Sequence, residues 1–101
     1  MDKVSISFSQ KEIEEFCTRW KVMEFSFFGS VVREDFNEKS DLDVLVTFAS
    51  ETKVGLFEMA QMKIELGRIF HRQVDLVEKA GLRNPYRRQE IVRTARVVYA
   101  A

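Results

Sequence analysis

An acid sits twice, one residue apart, at the head of an apolar run: Asp41-Leu42-Asp43-Val44-Leu45-Val46. That spacing constrains the chain more than any other feature. In a strand, alternate side chains share a face, about 7 Å apart. Asp41 and Asp43 therefore point one way while Leu42 and Val44 point into a core. Upstream, the run Val22 to Phe28 has strand composition and partial alternation. It ends at Gly29, where the absence of a Cβ lets backbone approach a ligand. Ser30 adds a hydroxyl and a backbone N–H at the start of an expected short helix, Val31 to Glu34. Such a helix start with small residues suits phosphate. Two carboxylates beside a phosphate cradle match what Mg²⁺ uses, namely one or two carboxylates together with substrate phosphates.

The rest of the chain supplies elements to hold that centre. Ser9-Gln10-Lys11-Glu12 is a capping box. Ile13, Phe16, Cys17 and Trp20 follow at helical spacing, so residues 10 to 20 read as a helix with a core-facing stripe. In the first strand Phe25 and Phe27 share one face, and Phe28 shares the other with Ser26. Apolar residues on both faces imply a strand covered on both sides. The second strand is expected over Asp41 to Phe48. Residues 55 to 69 read as a helix, with Leu56, Met59, Ala60 and Ile64 as core candidates, Leu66 and Ile69 also fitting an apolar side, and Gln61, Lys63, Glu65 and Arg68 exposed. Met62 pairs with Met59 as gap-filling core. Val74-Asp75-Leu76-Val77 reads as a third strand, and an acid inside such a run is rarely buried unless paired or bound to metal. Asn84-Pro85 starts a further helix, to about Thr94. Val97 to Tyr99 is a candidate last strand.

These residues carry a resemblance. Gly29-Ser30, ten intervening residues, then Asp41-x-Asp43, with Asp75 downstream, resembles the motif of the polymerase-β-like nucleotidyltransferase superfamily. The short chain is similar to its minimal nucleotidyltransferases, the MNT antitoxins that pair with HEPN toxins. The resemblance implies an α/β (α+β) nucleotidyltransferase fold, a small mixed sheet flanked by helices. It implies two Mg²⁺ ions, or Mn²⁺, held by Asp41, Asp43 and Asp75, the last also favouring a deprotonated attacking hydroxyl. Gly29 and Ser30 would hold the phosphates of ATP. Arg33 could reach a phosphate too, although Glu34 stands where the family often has glycine. The implied reaction transfers AMP to a hydroxyl, by likeness a tyrosine, of a HEPN ribonuclease toxin. A different class of function is an antitoxin that neutralises its partner by binding alone. Nucleotidylation of a small molecule such as an aminoglycoside would need a second domain to hold the drug.

Bulk properties narrow the field. At 101 residues a single domain, 1–101, is expected, and 46% apolar residues argue for a packed core. Neither a membrane-spanning run nor a secretory leader fits, which points to the cytoplasm. The single cysteine, Cys17, excludes an internal disulfide and a cysteine-based zinc site. The single histidine, His71, reads as a surface or strand-edge residue. Net charge is zero, but Lys79, Arg83, Arg87, Arg88, Arg93 and Arg96 lie after Glu78 with Glu90 as the only acid. This asymmetry suggests an acidic partner or a phosphate near the C-terminal end, with a solvated basic helix face as the alternative reading. RNA binding is the competing use of these arginines, with nucleic acid expected less than a protein partner.

Overall fold

The computed structural model describes residues 6–32 and 36–101. Helix α1 (Gln10–Trp20) leads into strand β1 (Val22–Phe28), which ends in a 3-10 turn over Gly29–Val32. Strand β2 (Leu42–Phe48), helix α2 (Leu56–Phe70), strand β3 (Val74–Glu78), helix α3 (Pro85–Thr94) and strand β4 (Arg96–Ala100) follow. The sheet order is β3-β2-β1-β4. β1 runs antiparallel to both β2 and β4, while β2 and β3 are parallel and joined by α2. The architecture is the expected mixed α/β, with β1 and β2 central. Val22–Phe28 coincides with the expected first strand. The second begins at Leu42 rather than Asp41, and the last is longer at both ends.

Local chemistry explains the boundaries. Ser9 Oγ accepts the Glu12 amide at 3.2 Å, the serine half of the expected capping box. α1 ends at Lys21 and α2 at His71, both in the left-handed region, which closes the last turn of each helix. His71 is exposed, as expected. The Asn84 side chain accepts from the Tyr86 and Arg87 amides, with Pro85 in the first helical turn.

Both faces of the sheet are covered, as the two-sided apolar pattern of β1 implied. On one face Phe25, Phe27, Leu42, Val44, Val46 and Val74 pack with Ile13, Phe16 and Cys17 of α1 and Met62, Leu66 and Phe70 of α2. Phe16, Phe25, Phe27 and Phe70 form a chain of edge-to-face rings 5.6 to 6.0 Å apart. Each such side chain contributes about 1.5–3 kcal/mol on burial. Cys17 is fully buried, and burial, helped by Glu14, pushes its thiol up to about 12. It is a packing residue with no thiolate at neutral pH. On the other face Phe28, Leu45, Leu82 and Ile91 make a smaller cluster under α3.

The orientation of α2 departs from the sequence expectation in part: Met59, Met62, Leu66 and Ile69 pack on the core as expected, while other candidates do not. Leu56 and Ile64 are 91% and 58% exposed and Ala60 is exposed, whereas Met62, Leu66 and Phe70 are buried. Met59 is partly buried against the core. The helix carries apolar residues around most of its circumference, so periodicity alone did not select the buried face. The four-residue steps of Met62, Leu66 and Phe70 form the true seam. Glu65, expected to be exposed, is half-buried instead. It accepts from Trp20 Nε1 at 3.0 Å and pairs with Arg19, tying α2 to α1. No helix among the described residues is long and apolar enough to cross a membrane.

The Glu65 contacts generate a pH-dependent prediction. Burial raises its carboxyl, but Arg19 and Trp20 outweigh that, and the net shift is downward from 4.5. A depressed folded value means stabilisation present above the ordinary carboxyl range and lost as pH falls through the folded value. Glu65→Gln is expected to melt a few degrees below wild type at pH 7, consistent with a partly exposed pair worth up to about 1 kcal/mol. The gap should close below the ordinary 4.5. Thermal melts across pH 3 to 7 check this, and a constant gap would contradict it.

Candidate active site

The ladder of β2 places the acids. Asp43 is the register partner of Phe28 on β1 and of Asp75 on β3. Side chains of register partners share a face of the sheet, so Asp43 and Asp75 stand side by side on the face that also carries Phe28 and Leu45. Leu42, between the two acids of the motif, is fully buried on the opposite face. Asp41 precedes β2 by one residue and is exposed; Asp43 is half-buried. Asp75 is exposed on an edge strand, so strand alternation, rather than a buried pairing, accounts for its place in an apolar run. Among the described residues no group of three or more acids, histidines or cysteines is closed tightly enough to hold a metal by itself.

Gly29 is fitted to Asp43. Its φ is +73°, a region where side-chain-bearing residues are strained. A Cβ built there would lie 2.2 Å from Asp43 Oδ2 and 3.1 Å from its carboxyl carbon. The glycine thus clears the space that the carboxylate occupies at the end of β1. Ser30 follows at once, half-buried in the 3-10 turn. Of the expected short helix Val31 to Glu34, the turn covers Val31 and Val32; Arg33 and Glu34 lie outside the described residues.

The carboxylates fit a hard divalent cation. Aspartate oxygens are the donor type that Mg²⁺ prefers, and two of them on adjacent strands leave the remaining positions to phosphate oxygens and water. The nearby glycine gives a phosphate-bearing ligand close access.

The sequence reading missed Arg72. Its Nη1 donates to the carbonyls of Asn37 at 3.2 Å and Ser40 at 3.0 Å, and its guanidinium lies 4.5 Å over the Phe36 ring. Arg72 thereby grips the loop that delivers Asp41. Arginine after a helix end is common, and nothing in its local pattern shows a partner 32 residues away. Two residues of the basic C-terminal segment, Arg87 and Arg96, also reach the neighbourhood of Gly29, where both line one cleft with it.

Comparison with known proteins supplies the family and the fold. The sequence model of the nucleotidyltransferase domain matches residues 10–98. The chain belongs to the nucleotidyltransferase domain family. It is 36% identical over 75 residues to the protein adenylyltransferase MntA of Thermococcus cleftensis, covering 74% of this chain and 71% of that protein. A chain from a crystal structure of a toxin–antitoxin with AMP-PNP superposes with a TM-score of 0.76 at 18% identity, covering 93% of this chain and 75% of that one. A chain from a complex of tri-AMPylated Shewanella oneidensis HEPN toxin with MNT antitoxin gives 0.66 at 18% identity, covering 91% and 70%. The two structural matches establish a shared nucleotidyltransferase fold.

Gly29→Ala tests the fitted glycine. A left-handed conformation costs a non-glycine residue about 1–2 kcal/mol, and the new methyl must also push Asp43 aside. Urea unfolding is expected to register a loss of at least about 1 kcal/mol. An unchanged midpoint would mean that neither the backbone angle nor the close approach matters.

Proposed function

We propose that the protein is a metal-dependent adenylyltransferase that moves AMP from ATP to a hydroxyl, that of a tyrosine, on a HEPN-type ribonuclease toxin, and so acts as its antitoxin. The observation that carries this reading is the alignment of Asp43 with Asp75 on one sheet face, against the Gly29 turn that a Cβ would obstruct. Its support from kinship is the protein adenylyltransferase MntA relative, together with a structural neighbour from a complex of MNT antitoxin with a tri-AMPylated HEPN toxin.

Residues 1–101 act as one domain in this reading, in the cytoplasm. Asp41, Asp43 and Asp75 would hold two Mg²⁺ ions. Bound there, Mg²⁺ neutralises phosphate charge and makes a hydroxyl a stronger nucleophile. The backbone at Gly29 and the Ser30 hydroxyl would hold the phosphate chain, with Arg33 adding a cation. The acceptor oxygen forms a bond to the α-phosphorus. The bond from that phosphorus to the bridging oxygen breaks, and its electron pair leaves with pyrophosphate. The hydroxyl proton passes to the Asp75 carboxylate. The protein's task is positioning and charge compensation, which dominate phosphoryl transfer.

Incubation with labelled ATP, Mg²⁺ and a HEPN-type toxin partner, followed by intact mass, should show one or more AMP units on the toxin. Asp43→Asn should abolish that gain. A toxin neutralised without any mass change would favour inhibition by binding alone.

The same variant tests the metal ligands. Asp43 and Asp75 are register neighbours of like charge, an arrangement that is destabilising in a sheet. Asp43→Asn should therefore melt at or above wild type in EDTA. Millimolar Mg²⁺ should raise the wild-type melting temperature more than the variant's, because only a ligand of the folded site stabilises it. A variant melting well below wild type in EDTA would make Asp43 a structural residue instead.

A further inference from the structure

Asp43 and Asp75 take their places from the strand ladder, but Asp41 does not. It stands one residue ahead of β2 and is exposed, and the ladder with β3 opens only at Leu42, in register with Val74. Its position is set instead by the peptide groups on either side of it. On the N-terminal side the Ser40 carbonyl accepts from Arg72 Nη1 at 3.0 Å. On the C-terminal side the Leu42 amide donates to the Gln73 carbonyl at 3.0 Å. Two consecutive residues of the connection from α2 to β3 thus hold both flanks of one acid. The turn before it is closed on itself. The Ser40 amide donates to the Asn37 carbonyl at 3.0 Å, the Asn37 amide to Ser40 Oγ at 3.1 Å, and the Lys39 amide to Asn37 Oδ1 at 2.8 Å. Arg72 Nη1 also reaches the Asn37 carbonyl, at 3.2 Å, so one nitrogen meets both ends of the turn. Arg72 is itself anchored. Its amide donates to the Gly67 carbonyl at 3.3 Å, and its guanidinium lies 4.5 Å over Phe36, a ring packed against the core. Among the described residues its donors go to main-chain carbonyls and to no carboxylate, so it orders the turn without competing with a cation for the acids.

We infer that Arg72 is a positioning residue, which fixes Asp41 where it joins Asp43 and Asp75 around a divalent cation. The inference rests on the metal site of the nucleotidyl-transfer reading. A carboxylate on an untethered loop must be ordered when an ion arrives, and that ordering opposes binding. Arg72 and Gln73 order Asp41 beforehand. The guanidinium is a rigid fork of donors, so its hold on the turn fixes direction as well as distance. Groups that orient a metal ligand from outside the coordination sphere change affinity about 10–100-fold when they are removed. An arginine that only supports the fold would weaken the site whatever stands at position 41. One that acts through Asp41 loses its effect once that carboxylate is gone.

The test titrates Mn²⁺ alone into wild type, Arg72→Gln, Asp41→Asn and the double variant. Electron paramagnetic resonance counts the free ion, and a thermal melt confirms that each protein is folded. Arg72→Gln is expected to bind Mn²⁺ about tenfold or more weakly than wild type. Beside Asp41→Asn the same substitution should cause no further loss. Arg72→Lys keeps a cation and a donor but cannot meet two carbonyls and the ring alike, so it should lose less, again only when Asp41 is present. It carries the cycle if Arg72→Gln does not fold. Wild-type affinity in folded Arg72→Gln, or in Arg72→Lys where it stands in, would overturn the inference. A loss that persists in full beside Asp41→Asn would overturn it too, making Arg72 a support of the fold alone. Wild type that takes up no Mn²⁺ would defeat the metal-site reading itself, and this inference with it.

Discussion

The pairing of β2 with both neighbours sets everything that follows at the site. One register puts Asp43 opposite Phe28 on one side and opposite Asp75 on the other. A slip of one residue would turn Asp43 inward and Leu42 outward, because strand side chains alternate. The buried partners forbid that slip. Leu42, Val44 and Val46 are wholly enclosed under α1 and α2, and exposing them would forfeit several kcal/mol, at about 25 cal/mol per Å² of apolar surface. The core on one face thus dictates where the acids stand on the other.

Much of this was legible in the sequence because it is local. The phenylalanines of β1, the alternation around Leu42, and the cap at Ser9 are each decided within a few residues, and all lie where they were expected. Asp43 and Asp75 are 32 positions apart, yet both could be assigned because each interrupts an apolar run at a strand-face position. What escaped was long-range. Arg72 holds the Asn37 and Ser40 carbonyls through a contact that only the fold creates. The cleft between Gly29 and α3 likewise depends on how α3 lies across the sheet.

Helix α2 shows a different limit. Leu56, Phe57 and Ile64 offer as much apolar surface as Met62, Leu66 and Phe70, and the sequence pattern cannot rank them. The polar contact between helices lies beside the buried face: Trp20 and Arg19 of α1 hold Glu65, next to Leu66, while Met62, Leu66 and Phe70 pack into the core.

The sheet order has a dynamic consequence. Asp43 sits on a central strand flanked on both sides, whereas Asp75 sits on β3, whose only strand neighbour among the described residues is β2. Edge strands open by local fraying at a smaller free-energy cost than the strands they border. In amide hydrogen exchange the two acids would therefore belong to different protection classes, β3 exchanging ahead of β2. One half of the carboxylate pair is anchored to the most persistent part of the molecule, and the other to a margin that opens and recloses while the remainder stays folded.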